Sequence, residues 1–172
     1  ILSAIGACIS LGIDMDDIVK GVKSYKALDR RFSKLNEEPL IYDDFAHNPD
    51  GIRSTILETL KFLPPNQKLH VACAIRGSRG VEINKLNVEA LVDAMTDDIE
   101  LSLSSSKDVV NDLNHVEDDE RDIFFDTLNS NGIEFTHYDN LRDCLNEVYK
   151  VLVKLCLEYI CVICTICRLS DV

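Results

Sequence analysis

The sequence contains no tryptophan, and only 6% of its residues are aromatic. It also lacks an excess of positive charge: 18 lysines and arginines stand against 30 aspartates and glutamates, and the formal net charge is -12. Proteins that hold nucleic acid or an anionic membrane surface need clustered lysine and arginine side chains. No basic stripe is present here, so we expect neither nucleic acid nor a membrane among the partners.

Long apolar runs are absent as well. The apolar opening at residues 1–12 is too short to cross a bilayer, and no charged segment precedes it in the manner of a secretion signal. The 172 residues, 46% of them hydrophobic, are enough for one medium-sized domain with a core. The first methionine is Met15, so we expect a piece of a longer protein, soluble and cytoplasmic.

The cysteines do not indicate a disulfide framework. Their number, seven, is odd, and most of them lie in apolar runs, which is typical of buried, reduced thiols in a cytoplasmic protein. Cys161, Cys164 and Cys167 have the spacing of some metal sites, but mostly apolar residues separate them. The run predicts a strand, in which this spacing turns neighbouring cysteines to opposite faces. Core packing is therefore favoured, and no metal site is predicted.

The first forty residues predict two helices and two short strands. Gly12 is a typical helix stop, so residues 1–11 form a predicted helix. Asp14 is a typical cap for a second helix, and the two helices together form a hairpin. Residues 31–35 and 39–43 follow as predicted strands, which could form an antiparallel addition at one edge of a sheet.

From Pro49 onward, helical and strand patterns alternate. A continuous apolar run at 69–75 is typical of a strand buried on both faces of a parallel sheet. The remaining elements are strands at 99–103, 133–138 and 159–166, and helices starting at 49 and at 86–95, 119–129 and 141–155. This alternation indicates an α/β domain with a mainly parallel sheet and helices on both faces. The acidic run 117–120 is interpreted as the solvated start of a helix.

A dense polar stretch, DDFAHNP at 43–49, follows the second predicted strand. In an open parallel sheet, ligands bind outside the carboxyl ends of the strands, and the N-terminus of the next helix offers free N–H groups. An aspartate there can accept hydrogen bonds from ribose hydroxyls, and a histidine and an asparagine can orient phosphate or carboxylate groups. The simpler alternative is that Asp43 or Asp44 caps the helix and that Asn48-Pro49 is a plain turn.

Arg30-Arg31-Phe32, followed by YDDFAHNPDGI at 42–52, resembles the C-terminal domain of the Mur ligases, which are ATP-dependent amide ligases that build cell-wall peptides. Phe45 replaces the usual tyrosine of that motif. The opening hairpin resembles the segment that ends the central ATPase domain of the family. The resemblance covers roughly residues 1–155. It implies a Rossmann-like, six-stranded sheet at 28–172, preceded at 1–27 by the helical end of the ATPase domain.

The resemblance also implies roles for individual residues. Arg31 matches the arginine that faces the nucleotide phosphates, and Asp44 matches the aspartate that holds the ribose. His47 and Asn48 match the residues that shape the loop near the nucleotide. Arg79 lies in Gly77–Gly80, which resembles the Gly-Asp-Arg loop of the family, with serine in place of the aspartate. It is the candidate for gripping the carboxylate of the incoming substrate, although an exposed loop arginine would look the same.

Ser105 and Lys107, within the stretch SSSK at 104–107, are weaker candidates for contacting the substrate from a strand end. The Asp-Asn-Pro-Arg signature of the diaminopimelate-adding members is absent. The spacing of RGSRGVEIN at 76–84 and of HVEDDER at 115–121 is closer to divergent archaeal members, including pseudomurein peptide ligases. The wall pathway is therefore either that of peptidoglycan or that of pseudomurein.

The sequence has no phosphate loop of the type G-x-x-x-x-G-K-[ST]. The family carries that loop, the Mg²⁺ ligands and a modified lysine in its central domain, and it activates a carboxylate as an acyl phosphate. The resemblance therefore implies that ATP and Mg²⁺ are bound mainly by an upstream domain. It also implies that no catalytic residue lies in this chain, and that the chain alone is inactive.

Three functions remain open. The leading hypothesis is the closing domain of a ligase that adds an amino acid to a cell-wall peptide precursor, with those two molecules and the upstream ATPase domain as partners. A cyanophycin-synthetase-like or other amino-acid ligase would keep the fold and change the substrate. A non-catalytic Rossmann-like binding module would keep the motif without turnover.

Overall fold

A computed structural model describes residues 1–26, 28–154 and 159–164, the last of these as backbone only. The chain opens with the predicted hairpin of helices α1 (Leu2–Ser10) and α2 (Met15–Ser24). Gly12 takes the left-handed φ of 74° in the connection. Asp14 caps α2, because its Oδ1 atom accepts the N–H of Asp16 at 2.8 Å. The hairpin prediction is confirmed.

Ten further elements follow. Their bounds are β1 (Ser33–Glu37), β2 (Leu40–Asp44), α3 (Pro49–Leu60), β3 (Lys68–Ala74), α4 (Val81–Ala94), β4 (Ile99–Ser104), α5 (Asp118–Ser130), β5 (Thr136–Tyr138), α6 (Leu141–Lys154) and β6 (Tyr159–Cys164). The order agrees with the sequence prediction throughout.

Two of the predicted boundaries were wrong by more than two residues. Helix α4 begins at Val81 rather than near residue 86, because Gly80, at a φ of 83°, starts the helix directly after the β3 loop. Strand β5 has only three residues. Ile133 belongs instead to the turn that ends α5, because its N–H donates to the carbonyl of Leu128 at 3.0 Å.

The six strands form one sheet in the order β1-β2-β6-β3-β4-β5. Every neighbouring pair is parallel except β1 and β2, which are antiparallel at one edge. This confirms the mainly parallel, six-stranded sheet with an antiparallel addition. The last strand, β6, lies between β2 and β3 rather than at an edge. All five parallel strands therefore end on one side of the sheet, which is called the carboxyl edge below.

Apolar side chains pack on both faces of the sheet. The larger core lies between the sheet and helices α3, α4 and α5, and it includes the fully buried Ile56, Leu91 and Phe124. Helix α6 covers the other face with Cys144, Val148 and Leu152. Helices on both faces are what a doubly covered parallel sheet requires, so this prediction is also confirmed.

The described cysteines agree in part with the prediction of buried thiols. Cys73 and Cys144 are buried and free, and burial raises the pKa of each thiol to about 12. Cys8 is free and half-buried. The side chains of Cys156, Cys161, Cys164 and Cys167 lie outside the described residues, so the packing predicted for the cysteine-rich run stays a prediction. None of the described helices has the length and apolarity that a membrane crossing needs.

Candidate functional site

The two adjacent aspartates at the end of β2 hold the turn that carries Arg31. Asp43 is 2% exposed, and its Oδ2 atom lies 3.2 Å from Nε of Arg30. Asp44 accepts the N–H of Phe32 on its Oδ2 atom at 2.6 Å. The two aspartates therefore tie down the residues on either side of Arg31. Neither of them caps the following helix, so the alternative that Asp43 or Asp44 is the cap was wrong.

The turn is held in an unusual backbone conformation. Arg30 and Phe32 both have left-handed φ angles, of 61° and 52°, which non-glycine residues seldom adopt without support from their surroundings. The carbonyl of Arg30 also accepts the N–H of Phe45 at 2.9 Å. Arg31 is exposed, with its Cζ atom 5.3 Å from the centroid of the Phe45 ring. The guanidinium of Arg31 is thus exposed to solvent, while the backbone of the turn that carries it is held in place.

Burial affects the charge of the inner aspartate. Removal from water raises the pKa of Asp43, and the attraction and hydrogen bond of Arg30 partly oppose this rise. The Oδ1 atom of Asp43 is buried and has no hydrogen-bond partner among the described residues. Because one oxygen is paired and the other is not, the pair with Arg30 is the main contact that keeps this carboxylate charged.

The loop after β2 leads directly into α3. Nδ1 of His47 lies 2.8 Å from the carbonyl oxygen of Phe45 and must donate to it, which leaves Nε2 as the other polar atom of the ring. Asn48 is the N-cap of α3, because its Oδ1 atom accepts the N–H of Gly51 at 2.8 Å. Pro49 occupies the first turn. The amide oxygen of Asn48 is thus engaged by the helix rather than presented to a ligand.

A second loop, Gly77–Gly80, follows β3 at the same edge. A Cβ atom at position 77 would overlap the main-chain carbonyls of Asn114 and His115, so only glycine fits there. Ser78 and Gly80 have left-handed φ angles of 56° and 83°. The side chain of Ser78 donates to the carbonyl of His115 at 3.1 Å. This loop is therefore packed closely against the segment that precedes α5.

Glu120 occupies the inside of that loop. It is 1% exposed, and its carboxylate accepts the N–H groups of Ser78, Arg79 and Gly80 at 2.9, 2.7 and 2.6 Å. Desolvation raises the pKa of Glu120, but the backbone hydrogen bonds outweigh this effect and the pKa is lowered. The interpretation of the acidic run as a purely solvated helix start was wrong at this residue.

Two arginines are associated with this loop: Arg76 directly precedes it, and Arg79 lies within it. Arg79 is half-buried, with Nη1 donating to the carbonyl of Ser78 at 2.9 Å and Nη2 donating to Oδ1 of Asn114 at 3.2 Å. Arg76 donates from Nη1 to the carbonyl of His47 at 3.1 Å, and so connects the β3 loop to the β2 loop. Burial and the charge of Arg79 lower the pKa of Arg76.

The third predicted group lies at the end of β4. Ser105 is 2% exposed, and its hydroxyl lies 2.9 Å from Nε2 of His137. Burial lowers the pKa of that histidine. Lys107 is exposed, and its Nζ atom pairs with Oδ1 of Asp139 at 2.9 Å. Of the two predicted substrate contacts here, Lys107 reaches the surface, whereas Ser105 is engaged inside the fold.

The three groups share the carboxyl edge but are not equally close to one another. Neighbouring strands lie about 4.8 Å apart, and β6 separates β2 from β3. The β2 and β3 loops are thus about 10 Å apart at their strand ends, with the β4 loop about 5 Å further along. Arg76 spans the first of these gaps. Four arginines (Arg30, Arg31, Arg76 and Arg79) lie at this edge, and Arg30 is paired there with Asp43.

The sequence of this chain is similar to those of several known ligases. No family model matches the chain. A UDP-N-acetylmuramate–L-alanine ligase of Legionella pneumophila is 32% identical over 96 residues, which cover 52% of this chain and 20% of that protein. The ligase of the same name from Brachyspira hyodysenteriae is 43% identical over 56 residues. The chain is therefore similar in sequence to Mur ligases over part of their length. It spans about a fifth of the length of the Legionella protein.

Solved structures show the same fold. The UDP-N-acetylmuramate–alanine ligase of Thermotoga maritima superposes with a TM-score of 0.61 at 21% identity, covering 95% of this chain and 32% of that one. A murein peptide ligase of Psychrobacter arcticus gives 0.63 at 15% identity, covering 94% and 32%. A folylpolyglutamate synthase of Mycobacterium tuberculosis gives 0.61 at 13% identity, covering 88% and 32%. The Mur ligase fold is thus shared with other ligases of different substrates.

The archaeal subfamily receives no support from these comparisons. The curated relatives named here are bacterial UDP-N-acetylmuramate–L-alanine ligases, and the pseudomurein-type assignment stays a prediction. The residue roles inferred from the Mur ligase resemblance also stay predictions, for Arg31, Asp44, His47 and Asn48 as for the substrate candidates. In the described part of the chain, no group of three or more His, Cys, Asp or Glu side chains is placed to hold a metal ion.

Two residues of this site were missed by sequence reasoning. Arg76 and Glu120 both act through partners about 30 to 40 positions away, at His47 and in the Gly77–Gly80 loop. No local pattern marks them. The available signal was only that an acidic run contained a residue spaced like the glutamate of a capping box, three positions after Glu117.

Proposed function

We propose that this chain is the C-terminal domain of an ATP-dependent amide ligase that adds an amino acid to a cell-wall peptide precursor. In such a reaction ATP phosphorylates a carboxylate, and the amine of the incoming amino acid attacks the acyl phosphate and releases phosphate. The domain closes over the nucleotide and presents the amine substrate. One observation carries this proposal: the Arg31 turn, which is held by the end of β2, and the Arg79 loop after β3 lie at the same sheet edge, where Arg76 contacts His47.

Arg31 is the residue proposed to face the nucleotide phosphates. Its exposed guanidinium stands on the ring of Phe45, and Asp43 and Asp44 fix the residues on either side of it. A guanidinium with a fixed base loses little conformational entropy when it binds an anion. Asp44 is proposed to reach the ribose while it holds this turn, and His47 and Asn48 are proposed to shape the loop beside the nucleotide.

Arg79 is the residue proposed to bind the carboxylate of the incoming amino acid. Two of its five N–H groups are engaged, with the Ser78 carbonyl and with Asn114, and the planar fork of a guanidinium matches a carboxylate in two parallel hydrogen bonds. Lys107, further along the edge and paired with Asp139, is a proposed secondary contact. Ser105 is buried against His137, so we propose that it supports the backbone beside Lys107 rather than contacting the substrate.

L-alanine is the first amino acid to test, with UDP-N-acetylmuramate as the acceptor, because the curated relatives carry the name UDP-N-acetylmuramate–L-alanine ligase. The cofactors proposed are ATP and Mg²⁺. Folylpolyglutamate synthases of the same fold were solved with ADP and AMPPCP, and with AMPPNP and a manganese ion. As the Mur ligase resemblance implies, Mg²⁺ and catalysis are proposed to belong to an upstream ATPase domain, and the protein is proposed to be cytoplasmic.

The helical hairpin supports an upstream partner domain. Ile18 is the single buried residue of α1 and α2, and an apolar groove of about 400 Å³ lies between the two helices, lined among others by Ile5 and Val22. An exposed apolar surface of this kind marks a packing interface. We propose that residues 1–27 belong to the end of the ATPase domain and that residues 28–172 form the closing domain.

ADP release tests the proposal. This chain alone, and the same chain joined to its native upstream sequence, are incubated with Mg-ATP, UDP-N-acetylmuramate or a longer wall-peptide precursor, and a panel of amino acids that includes L-alanine and L-glutamate. Release by the joined protein alone is the expected result. Release by the isolated chain would contradict the assignment of catalysis to an upstream domain. A joined protein that binds ATP but releases ADP with no acceptor in the panel would contradict the wall-peptide ligase.

A further inference from the structure

Glu120 fills a backbone anion site from inside the protein. Its carboxylate accepts three successive N–H groups of the β3 loop, from Ser78, Arg79 and Gly80. It also accepts from Nδ2 of Asn84 at 3.2 Å and from the N–H of Glu117 at 3.1 Å. These five hydrogen bonds surround a side chain that is 1% exposed.

The shape of the loop explains why it attracts a carboxylate. Left-handed φ angles at Ser78 and Gly80 turn consecutive N–H groups into one concavity, and such backbone concavities hold phosphates and other anions in many proteins. Here the anion is supplied by α5, some forty residues along the chain. The three N–H groups are consequently unavailable to a nucleotide or to a substrate.

The side chain of Arg79 remains as the ligand-binding group of this loop. Its Nη1 atom is braced on the carbonyl of Ser78, and its Nη2 atom on Asn114. Both braces depend on the backbone course from residue 77 to residue 80, which Glu120 holds. A guanidinium can hold a planar carboxylate through two parallel hydrogen bonds without help from backbone donors.

We propose that Glu120 is a positioning residue: it locks the Gly77–Gly80 loop so that the guanidinium of Arg79, and not the loop backbone, receives the carboxylate of the amine substrate. This inference rests on the proposed function, because it assigns a substrate group to the same site. Glu120 itself touches no substrate. Its loss should weaken recognition of the amino acid while leaving use of ATP unchanged.

The first test needs no activity. Hydrogen–deuterium exchange is measured on this chain for the wild type, for Glu120→Gln and for the control Asp119→Asn, which removes the same charge from an exposed neighbour in the same helical turn. In Glu120→Gln, the amides of residues 78–80 should exchange at least about tenfold faster, since each loses a charged acceptor. The amides of β3 and β4 should be unchanged, as should the whole control variant. Equal protection of residues 78–80 in all three proteins would overturn the proposal.

The second test uses the ligase joined to its upstream domain. Glu120→Gln should raise KM for the amino acid about tenfold or more and leave KM for ATP within about twofold. A role confined to folding would instead lower the amount of active enzyme and leave both constants unchanged, which would overturn the inference. Glu120→Asp, which keeps the charge but is one methylene too short, serves as a second variant if the glutamine protein does not fold.

Arg79→Ala separates the two proposals. If this variant raises KM for the amino acid and Glu120→Gln does not, the positioning role is wrong and the proposed function stands. If Arg79→Ala leaves KM unchanged for every accepted amino acid, the assignment of the substrate carboxylate to this loop fails, whatever Glu120 does. The expected result is a parallel rise in both variants.

Discussion

Replacement of Gly77 by alanine tests the packing of the β3 loop most directly. A Cβ atom at this position would lie well inside 3.0 Å of the main-chain carbonyls of Asn114 and His115. Both neighbours are backbone atoms, so no flexible side chain can move aside. Either the Gly77–Gly80 loop or the segment that precedes α5 must shift. A shift of the loop would disturb its hydrogen bonds to Glu120.

The expected cost has two parts. Forcing one extra methyl group into a closely packed site costs about 1–3 kcal/mol. A shift of the loop would also lengthen the hydrogen bonds to Glu120, and a hydrogen bond to a charged group contributes about 1.5–3 kcal/mol. We expect Gly77→Ala to lower the free energy of unfolding by about 3 kcal/mol or more, which for a chain of this length is a fall in Tm of about 6–12 °C.

The assay is thermal and urea unfolding of the wild type, Gly77→Ala and a matched control, Gly21→Ala. Gly21 lies inside α2, and a Cβ atom there meets nothing within 4 Å. The same substitution should therefore stabilise the control by about 0.5–1 kcal/mol, because alanine favours a helix interior. A Gly77→Ala protein as stable as the wild type would refute the close approach of the loop to residues 114 and 115, and with it the fixed position of Arg79.

Three further predictions concern the Arg31 turn, the start of α3 and the opposite end of the sheet. Arg31→Ala and Asp44→Ala, in the ligase joined to its upstream domain, should each raise KM for ATP about tenfold or more while circular dichroism stays native; normal ADP release by both would remove these site assignments. Asn48→Ala should destabilise the chain by about 1 kcal/mol, since α3 loses its cap, and an unchanged urea midpoint would contradict the cap. Burial lowers the pKa of His70, so folding favours the neutral ring: this contribution is complete above the unfolded pKa of about 6.5 and is lost as the pH falls below it. The urea midpoint should therefore fall more between pH 7.5 and pH 5 in the wild type than in His70→Gln, and equal falls would exclude this histidine as the cause.

The sequence by itself determined the elements and the fold class. Gly12 and Asn48 mark helix ends through their own backbone and side-chain chemistry, and the apolar run of β3 predicts a strand buried on both faces. Strand and helix patterns in alternation are enough to indicate a parallel sheet. The motif around Asp44 and the arginines before it pointed to the carboxyl edge of the sheet, because strand ends and the helices that follow them are visible in the local pattern.

Only the tertiary structure decided how these parts act on one another. The position of β6 between β2 and β3, the clamp of Asp43 and Asp44 on the Arg31 turn, and the entry of Glu120 into the β3 loop all join residues that are far apart along the chain. A hydrogen bond between residues forty positions apart produces no periodic pattern in the sequence. The residues that form it are of the same types as neighbours that are exposed to solvent. A buried Glu120 and an exposed Asp119 stand side by side in one acidic run, and only packing distinguishes them.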